Sequence, residues 1–197
     1  TTSVDLPASA LRHGTNRITF LRPAPSSLYR AVLRYTRRGR RVAPLNAGIA
    51  VTRRFYLVDG KKGGRKLREI QPGETVPWGA YLMSEVTASA SAARQLRYVL
   101  VESPKPSGCE ALPADDRRFE QSSTAYVLRE DRTDRLAFHH ETTPATIVDR
   151  SVVHAEFAGE FVVAPAAVEL MYETGTRGHS GTFHLRVAPR PTLRSAG

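Results

Sequence analysis

Along most of this chain apolar and polar residues alternate one by one, and that period of two constrains the fold more than any other feature. A strand sends successive side chains to opposite faces, so alternation predicts ladders with one face in a core and the other in water. Ile49, Val51, Phe55 and Leu57 define one face, interrupted by Arg53. Leu96, Tyr98 and Leu100 alternate with Arg97, Val99 and Val101, which predicts a strand buried on both sides. Val153, Ala155, Phe157, Phe161 and Val163 face inward, with His154, Glu156 and Glu160 outward. Phe183, Leu185 and Val187 close the pattern opposite His184 and Arg186. Nearer the start, Ser3–Leu6, Arg17–Arg22 and Ser27–Thr36 also read as strands. No long stretch carries a helical period. Ala88–Arg94 has a composition that permits helix, but the strands on either side favour a short connection.

Turn signals punctuate these runs: Asp59-Gly60, Pro72-Gly73, Pro106-Ser-Gly108, Ala158-Gly159 and Gly178-His-Ser-Gly181. Many short strands at close spacing predict an all-β chain, an antiparallel β-sandwich of the fibronectin or immunoglobulin type. With 41% hydrophobic residues, the chain has the material for a real core. No apolar run approaches membrane-spanning length. The chain opens Thr-Thr-Ser-Val-Asp, without an initiator Met or signal peptide, and reads as part of a longer protein. Residues 1–45 hold too few strands for a domain of their own and read as the end of a second β-domain; 46–190 form the sandwich and 191–197 a tail.

The net charge of +10 sits in the first third: residues 1–75 carry 16 Lys/Arg against 4 Asp/Glu. Its main clusters, 37–41 and 61–66, lie between strand-like runs and read as solvated hairpin tips. An anionic partner is the alternative, but no aromatic is interleaved to stack on bases, and no nucleic-acid partner is expected. His139-His140-Glu141 is the only adjacent set of metal-type ligands. On a strand His139 and Glu141 share a face and His140 takes the other, short of the three or four ligands zinc needs. It reads as a sheet edge with solvated imidazoles. The paired carboxylates Asp115-Asp116 and Glu130-Asp131 are flanked by arginines and read as solvated turns rather than an acid–base pair. Cys109, the single cysteine, lies in the turn Pro106-Ser-Gly-Cys-Glu110 and reads as structural. No phosphate loop, nucleophile elbow or calcium loop occurs. The residues therefore predict a binding or structural module, with no catalytic set, metal or cofactor. Trp78 and Tyr81 beside Pro77 leave open an adhesion or carbohydrate-binding sandwich.

One stretch stands apart: Gly159-Glu-Phe-Val-Val-Ala-Pro-Ala-Ala-Val-Glu-Leu-Met-Tyr-Glu173. It starts as a strand, breaks at Pro165 and ends on Met171-Tyr172 beside a Gly-rich segment. Met171 and Tyr172 are either core at a strand end or apolar groups carried on a loop tip to cover something.

That stretch resembles the most distinctive motif of the C-terminal region of bacterial alpha-2-macroglobulins. Other segments resemble the same family in order: Ile49-Ala-Val-Thr-Arg-Arg-Phe-Tyr56, Ile70-Gln-Pro-Gly-Glu74 and Tyr98-Val-Leu-Val-Glu-Ser-Pro-Lys-Pro-Ser-Gly-Cys-Glu110. Residues before 36 resemble strands that close the family's CUB-like domain. Cys109 stands where the family usually has Phe, and Ser103 where it often has Asp. The resemblance implies a terminal macroglobulin domain of a protease trap. In such traps a protease cuts a bait segment, the molecule rearranges, and a thioester captures the protease. The resemblance further implies that Met171 and Tyr172 shield the thioester domain of the parent from water until then. No thioester motif surrounds Cys109 and no bait segment is present, so the implied partners are other domains of the parent and the proteases it traps. The implied location is the periplasm or cell envelope.

Overall fold

The computed structural model describes residues 4–12, 14–19, 41–59, 66–90, 95–116, 118–119 and 121–191. It divides into two compact units, 1–38 and 39–197. Of the first unit, the described residues include a single 3-10 turn, Ala8–Ala10, and an Arg12–Asn16 loop in which Asn16 Oδ1 accepts from the Arg12 N–H at 2.8 Å. Residues 4–6 and 17–19 carry no ladder; the rest of the strands expected there, and both basic clusters except Arg41 and Lys66, lie outside the described residues.

The second unit is built of β1 (Leu45–Ala47), β2 (Ile49–Asp59), β3 (Lys66–Glu69), β4 (Thr75–Val76), β5 (Tyr81–Ala90), β6 (Leu96–Pro104) and β7 (Cys109–Ala111). There follow β8 (Leu128–Asp131), β9 (Arg135–Thr143), β10 (Thr146–Ala155), β11 (Gly159–Val163), β12 (Ala167–Leu170), β13 (Glu173–His179) and β14 (Phe183–Val187). One sheet runs β1-β13-β12-β6-β9-β8, a second β3-β2-β5-β10-β7, and a small third β11-β14-β4. Among the described residues the strand pairings are antiparallel except β14 with β4, and an isolated parallel bridge joins Gly48 to Arg177. The sandwich predicted from alternation is therefore present. Its chain begins ahead of residue 46, since β1 starts at Leu45 and Thr182 N–H donates to Val42 O at 3.1 Å.

Two hydrophobic clusters fill the interior. Ile49, Val86, Val101, Phe138 and Leu170 belong to one; Phe55, Leu82, Val153, Phe183 and Leu185 belong to the other. The Phe55 and Phe183 rings meet tilted, 4.8 Å between centroids.

Arg53 shows why one polar residue interrupts the inner face of β2. Its Nε donates to Ser84 Oγ at 3.1 Å, Nη1 to Ala164 O at 3.2 Å and Nη2 to Pro104 O, while the guanidinium lies over Phe55 at 4.5 Å. The two carbonyls lie at strand ends, Pro104 closing β6 and Ala164 just past β11, so one fork of donors ties two strand ends together. The side chain keeps some solvent contact, yet desolvation lowers its pKa to about 9, which still leaves it charged at neutral pH.

Two expectations from alternation fail for local reasons. Phe157 is 66% exposed rather than inward. β10 ends at Ala155, and Glu156 and Phe157 both donate their N–H to Gly108 O, at 2.9 and 3.0 Å. That turn breaks the period before Phe157. Phe161 does pack inward, its ring resting on Gly108, where a Cβ would meet Cζ at 2.5 Å. Strand β6 is covered on one side only: Val99 and Val101 are buried, but Arg97 and Tyr98 are exposed and Leu100 is half-buried.

Candidate functional site

Pro165 lies between β11, in the small sheet, and β12, in the six-stranded sheet. Lacking an N–H, it ends the one ladder and lets the chain change sheets. β12 and β13 then pair as a hairpin, with Leu170 opposite Glu173 and Met171-Tyr172 as the whole connection. Two-residue hairpins favour turns with positive φ, and neither residue has it. The mismatch is absorbed by a register shift between Glu169 and Leu170, where three extra residues of β13 (174–176) have no partner in the β12 register. Gly175 and Gly178, in the Gly-rich segment that follows, lie within β13 and do not make the turn. Gly175 lies in open space, and Gly178 lies where a Cβ would land on Ile49 O.

The tip is not core. Met171 is 46% and Tyr172 77% exposed. Tyr172 exceeds Phe157 in exposure, while Met171 does not, because Phe157 is itself outside. Met171 N–H donates to Tyr98 O at 2.9 Å, and the Tyr172 and Tyr98 rings meet edge to face at 5.1 Å and 89°. Tyr98 was missed as part of this site. It is the non-glycine residue with positive φ (53°) among the described residues, and sequence carries no signal for a bulky residue in that conformation.

The other sequence candidates do not converge. β9 is no sheet edge, because it lies between β6 and β8. His139 and Glu141 do share the outer face, and His139 Nε2 is 2.9 Å from Glu130 Oε1. His140, expected in solvent, is fully buried. Its Nδ1 donates to Ala125 O at 2.9 Å and its Nε2 is 2.9 Å from Asp149 Oδ2, joining β9 to β10 across the sandwich. Asp149 Oδ1 is buried without a partner among the described residues. Among those residues no three His, Cys, Asp or Glu side chains are grouped to hold a metal ion. Asp116 pairs with Arg118 at 2.7 Å and Glu130 with Arg132 at 2.7 Å. The hydrogen bonds from those guanidinium groups hold both carboxyls below their ordinary pKa.

Trp78 donates to Glu156 O at 2.6 Å and carries the Arg190 guanidinium 4.8 Å over its ring. Tyr81 is flanked by Phe119 at 4.7 Å and His154 at 4.8 Å. Both rings thus already carry neighbours within the domain. Cys109 is buried, and burial pushes its thiol up to about 12. The folded chain is expected to give no reaction with a thiol reagent at pH 8 and a full equivalent after unfolding in urea. Reaction in the folded state would show that the β7 turn opens.

The profile of the bacterial alpha-2-macroglobulin MG10 domain matches residues 48–174, well over half of the chain. This chain belongs to the bacterial alpha-2-macroglobulin family. Its MG10-like sandwich resembles native alpha-2-macroglobulin from Escherichia coli, spanning domain MG7 to the C-terminus, with a TM-score of 0.58 and 18% identity over 74% of this chain and 24% of that one. Salmonella alpha-2-macroglobulin reacted with methylamine gives 0.59 and 19%, over 75% of this chain and 10% of that one. Trypsin-activated alpha-2-macroglobulin from Escherichia coli gives 0.59 and 17%, over 75% and 11%. At these identities the likeness establishes the fold. The chain spans about a quarter of the first of these proteins and about a tenth of the other two. A comparison with curated protein sequences finds no match. Among the described residues of this macroglobulin-family chain, no helix is long and apolar enough to cross a membrane.

Proposed function

We propose that this MG10-like sandwich is a non-catalytic C-terminal module of a protease-trapping protein, and that its Met171–Tyr172 tip covers the thioester domain of the same parent. The observation that carries the proposal is the exposed apolar pair at the end of a two-residue hairpin rooted in the six-stranded sheet. A soluble domain gains nothing by holding a Met and a Tyr in water on a rigid arm, so a surface that receives them is the natural complement. Residues 1–45 are read as the closing strands of a CUB-like domain of that parent, and the cell envelope as its location.

The chemistry needs such a cover. An amine attacks the thioester carbonyl, an amide bond forms, the carbon–sulfur bond breaks and the thiol leaves; water does the same and leaves a carboxylate. Excluding small nucleophiles therefore preserves the acyl group until rearrangement brings a protease amine to it. Met171→Ala and Tyr172→Ala in the full-length parent are expected to release thiol to methylamine severalfold faster before any protease is added, with the fold intact by thermal melt. Cys109, being buried, adds no background to that assay. Wild-type resistance in both variants would sink the shielding role. A large loss of thermal stability in either would return the pair to the core reading.

A further inference from the structure

We infer that Tyr98 is a positioning residue for the tip: its ring, held in a left-handed backbone conformation, fixes Tyr172 in one orientation. This deepens the shielding reading and rests on it for its purpose, but not for its geometry.

Four observations meet at this residue. First, φ at Tyr98 is 53°, in a strand, where every neighbour is extended. An aromatic side chain is strained there and glycine is not, so the ring is kept for something a glycine does not supply. Second, the conformation breaks the alternation of β6. Leu96 and Val99, three apart, are both buried, and Arg97 and Tyr98 between them are both exposed. Counted from Val99, Val101 and Ser103, which face inward, Tyr98 lies on the outer face, where its ring stands beside the hairpin tip; the break falls on Leu96 and Arg97. Third, the carbonyl of Tyr98 accepts the Met171 N–H at 2.9 Å, tying the tip to the neighbouring strand. Fourth, the ring meets Tyr172 edge to face at 5.1 Å, and the Arg97 guanidinium lies 5.4 Å from its centroid.

Tyr172 is 77% exposed and the connection it sits on is two residues long. The Tyr98 ring, edge to face against it, restricts the rotation of that side chain. A freely rotating ring must be ordered each time it docks, which weakens the contact; a ring already held docks without that loss. Tyr98 thereby turns an exposed side chain into a rigid lid for the thioester-bearing surface. Two of the segments that resemble the family, the one starting at Tyr98 and the one that carries Met171-Tyr172, are thus brought together by β6 and β12 pairing side by side.

The test compares Tyr98→Gly, Tyr98→Asn and Tyr98→Phe. Glycine and asparagine accept the left-handed conformation and remove the ring; phenylalanine keeps it. In the 197-residue chain, the Tyr172 ring-proton resonances are expected to be displaced by the Tyr98 ring current. They should move to their unfolded-chain positions in the Gly and Asn variants and stay put in Phe. The melting temperature of the Gly variant should hold or rise, since strain is relieved. In the full-length parent, thiol release to methylamine should quicken in Gly and Asn and remain as wild type in Phe. Unchanged Tyr172 resonances in both ringless variants, or a Phe variant that behaves like them, would overturn the proposal. If the resonances move but Tyr172→Ala leaves thioester lifetime unaltered, positioning stands and shielding falls. If Tyr172→Ala shortens the lifetime and neither ringless variant does, positioning falls and shielding stands. The Asn variant carries the test should the Gly variant fail to fold.

Discussion

Replacing His140 by alanine is expected to destabilise the sandwich by about 3–5 kcal/mol, because it strands the buried Asp149 carboxyl without its partner. That is a large share of the roughly 5–15 kcal/mol that holds a typical domain together. Replacing both members with apolar residues of similar volume, His140→Leu with Asp149→Val, should recover most of the loss, since no charge is then left unpaired. The pair also predicts a pH dependence. Ala125 O only accepts, so Nδ1 of His140 carries a proton, and the contact between Nε2 and Asp149 Oδ2 holds one more. Burial works against a charged His140, but the hydrogen bonds to Asp149 and Ala125 O outweigh it and raise the pKa above the ordinary 6.5. Burial also raises Asp149. The upward direction describes the pair, which retains its shared proton after an unfolded chain would have lost it. For His140 the stabilisation is therefore complete below about pH 6.5 and declines as pH rises through the folded pKa; the raised Asp149 adds a decline of the same sign that begins above its ordinary 3.8. Tyr126 stands edge-on to His140 at 6.3 Å. Urea unfolding at pH 6 and pH 9 should show lower stability at the higher pH in wild type and a smaller difference in the double variant. A double variant as weak as the single one, or with the wild-type pH slope, would refute this account.

Gly178→Ala is expected to cost about 3 kcal/mol or more, at the upper end of overpacking penalties. Gly178 lies opposite Asn46 of β1 and Val168 of β12, and an added Cβ would land on the Ile49 carbonyl oxygen, with Leu45 O 3.1 Å away. The obstacles are backbone, so no side-chain rotation relieves them; β2 must move relative to β13. Gly175→Ala is the control. It has no positive φ and nothing within 4 Å of the added carbon, and its cost should stay within about 0.5 kcal/mol. Equal melting temperatures for the two variants would show that β13 and β2 are not held at the separation seen here.

Alternation made the sheet content legible, and Pro165 and the Met171–Tyr172 pair made the tip legible. Alternation even placed His139 and Glu141 together against His140 and set Arg53 inward. It did not say which face of β9 lay inside, because a lone histidine has no preference strong enough to orient a strand; Asp149 on a different strand decides it. Phe157 was misplaced because two backbone N–H groups converge on Gly108 O, a carbonyl almost fifty residues earlier in the chain. Tyr98 was invisible as a special position because its φ is imposed by neighbouring strands and not by its own preference.

The two hydrophobic clusters are threaded by the same strands. β2 gives Ile49 and Val51 to one and Phe55 to the other; β5 gives Val86 and then Leu82; β10 gives Ile147 and then Val153. The Pro165 crossing adds Val163 on one side and Ala166 and Val168 on the other. Neither cluster can come apart while those backbones stay extended through the other. The domain is thus a single cooperative unit, while the exposed Met171–Tyr172 tip lies outside both clusters and can change without unfolding either.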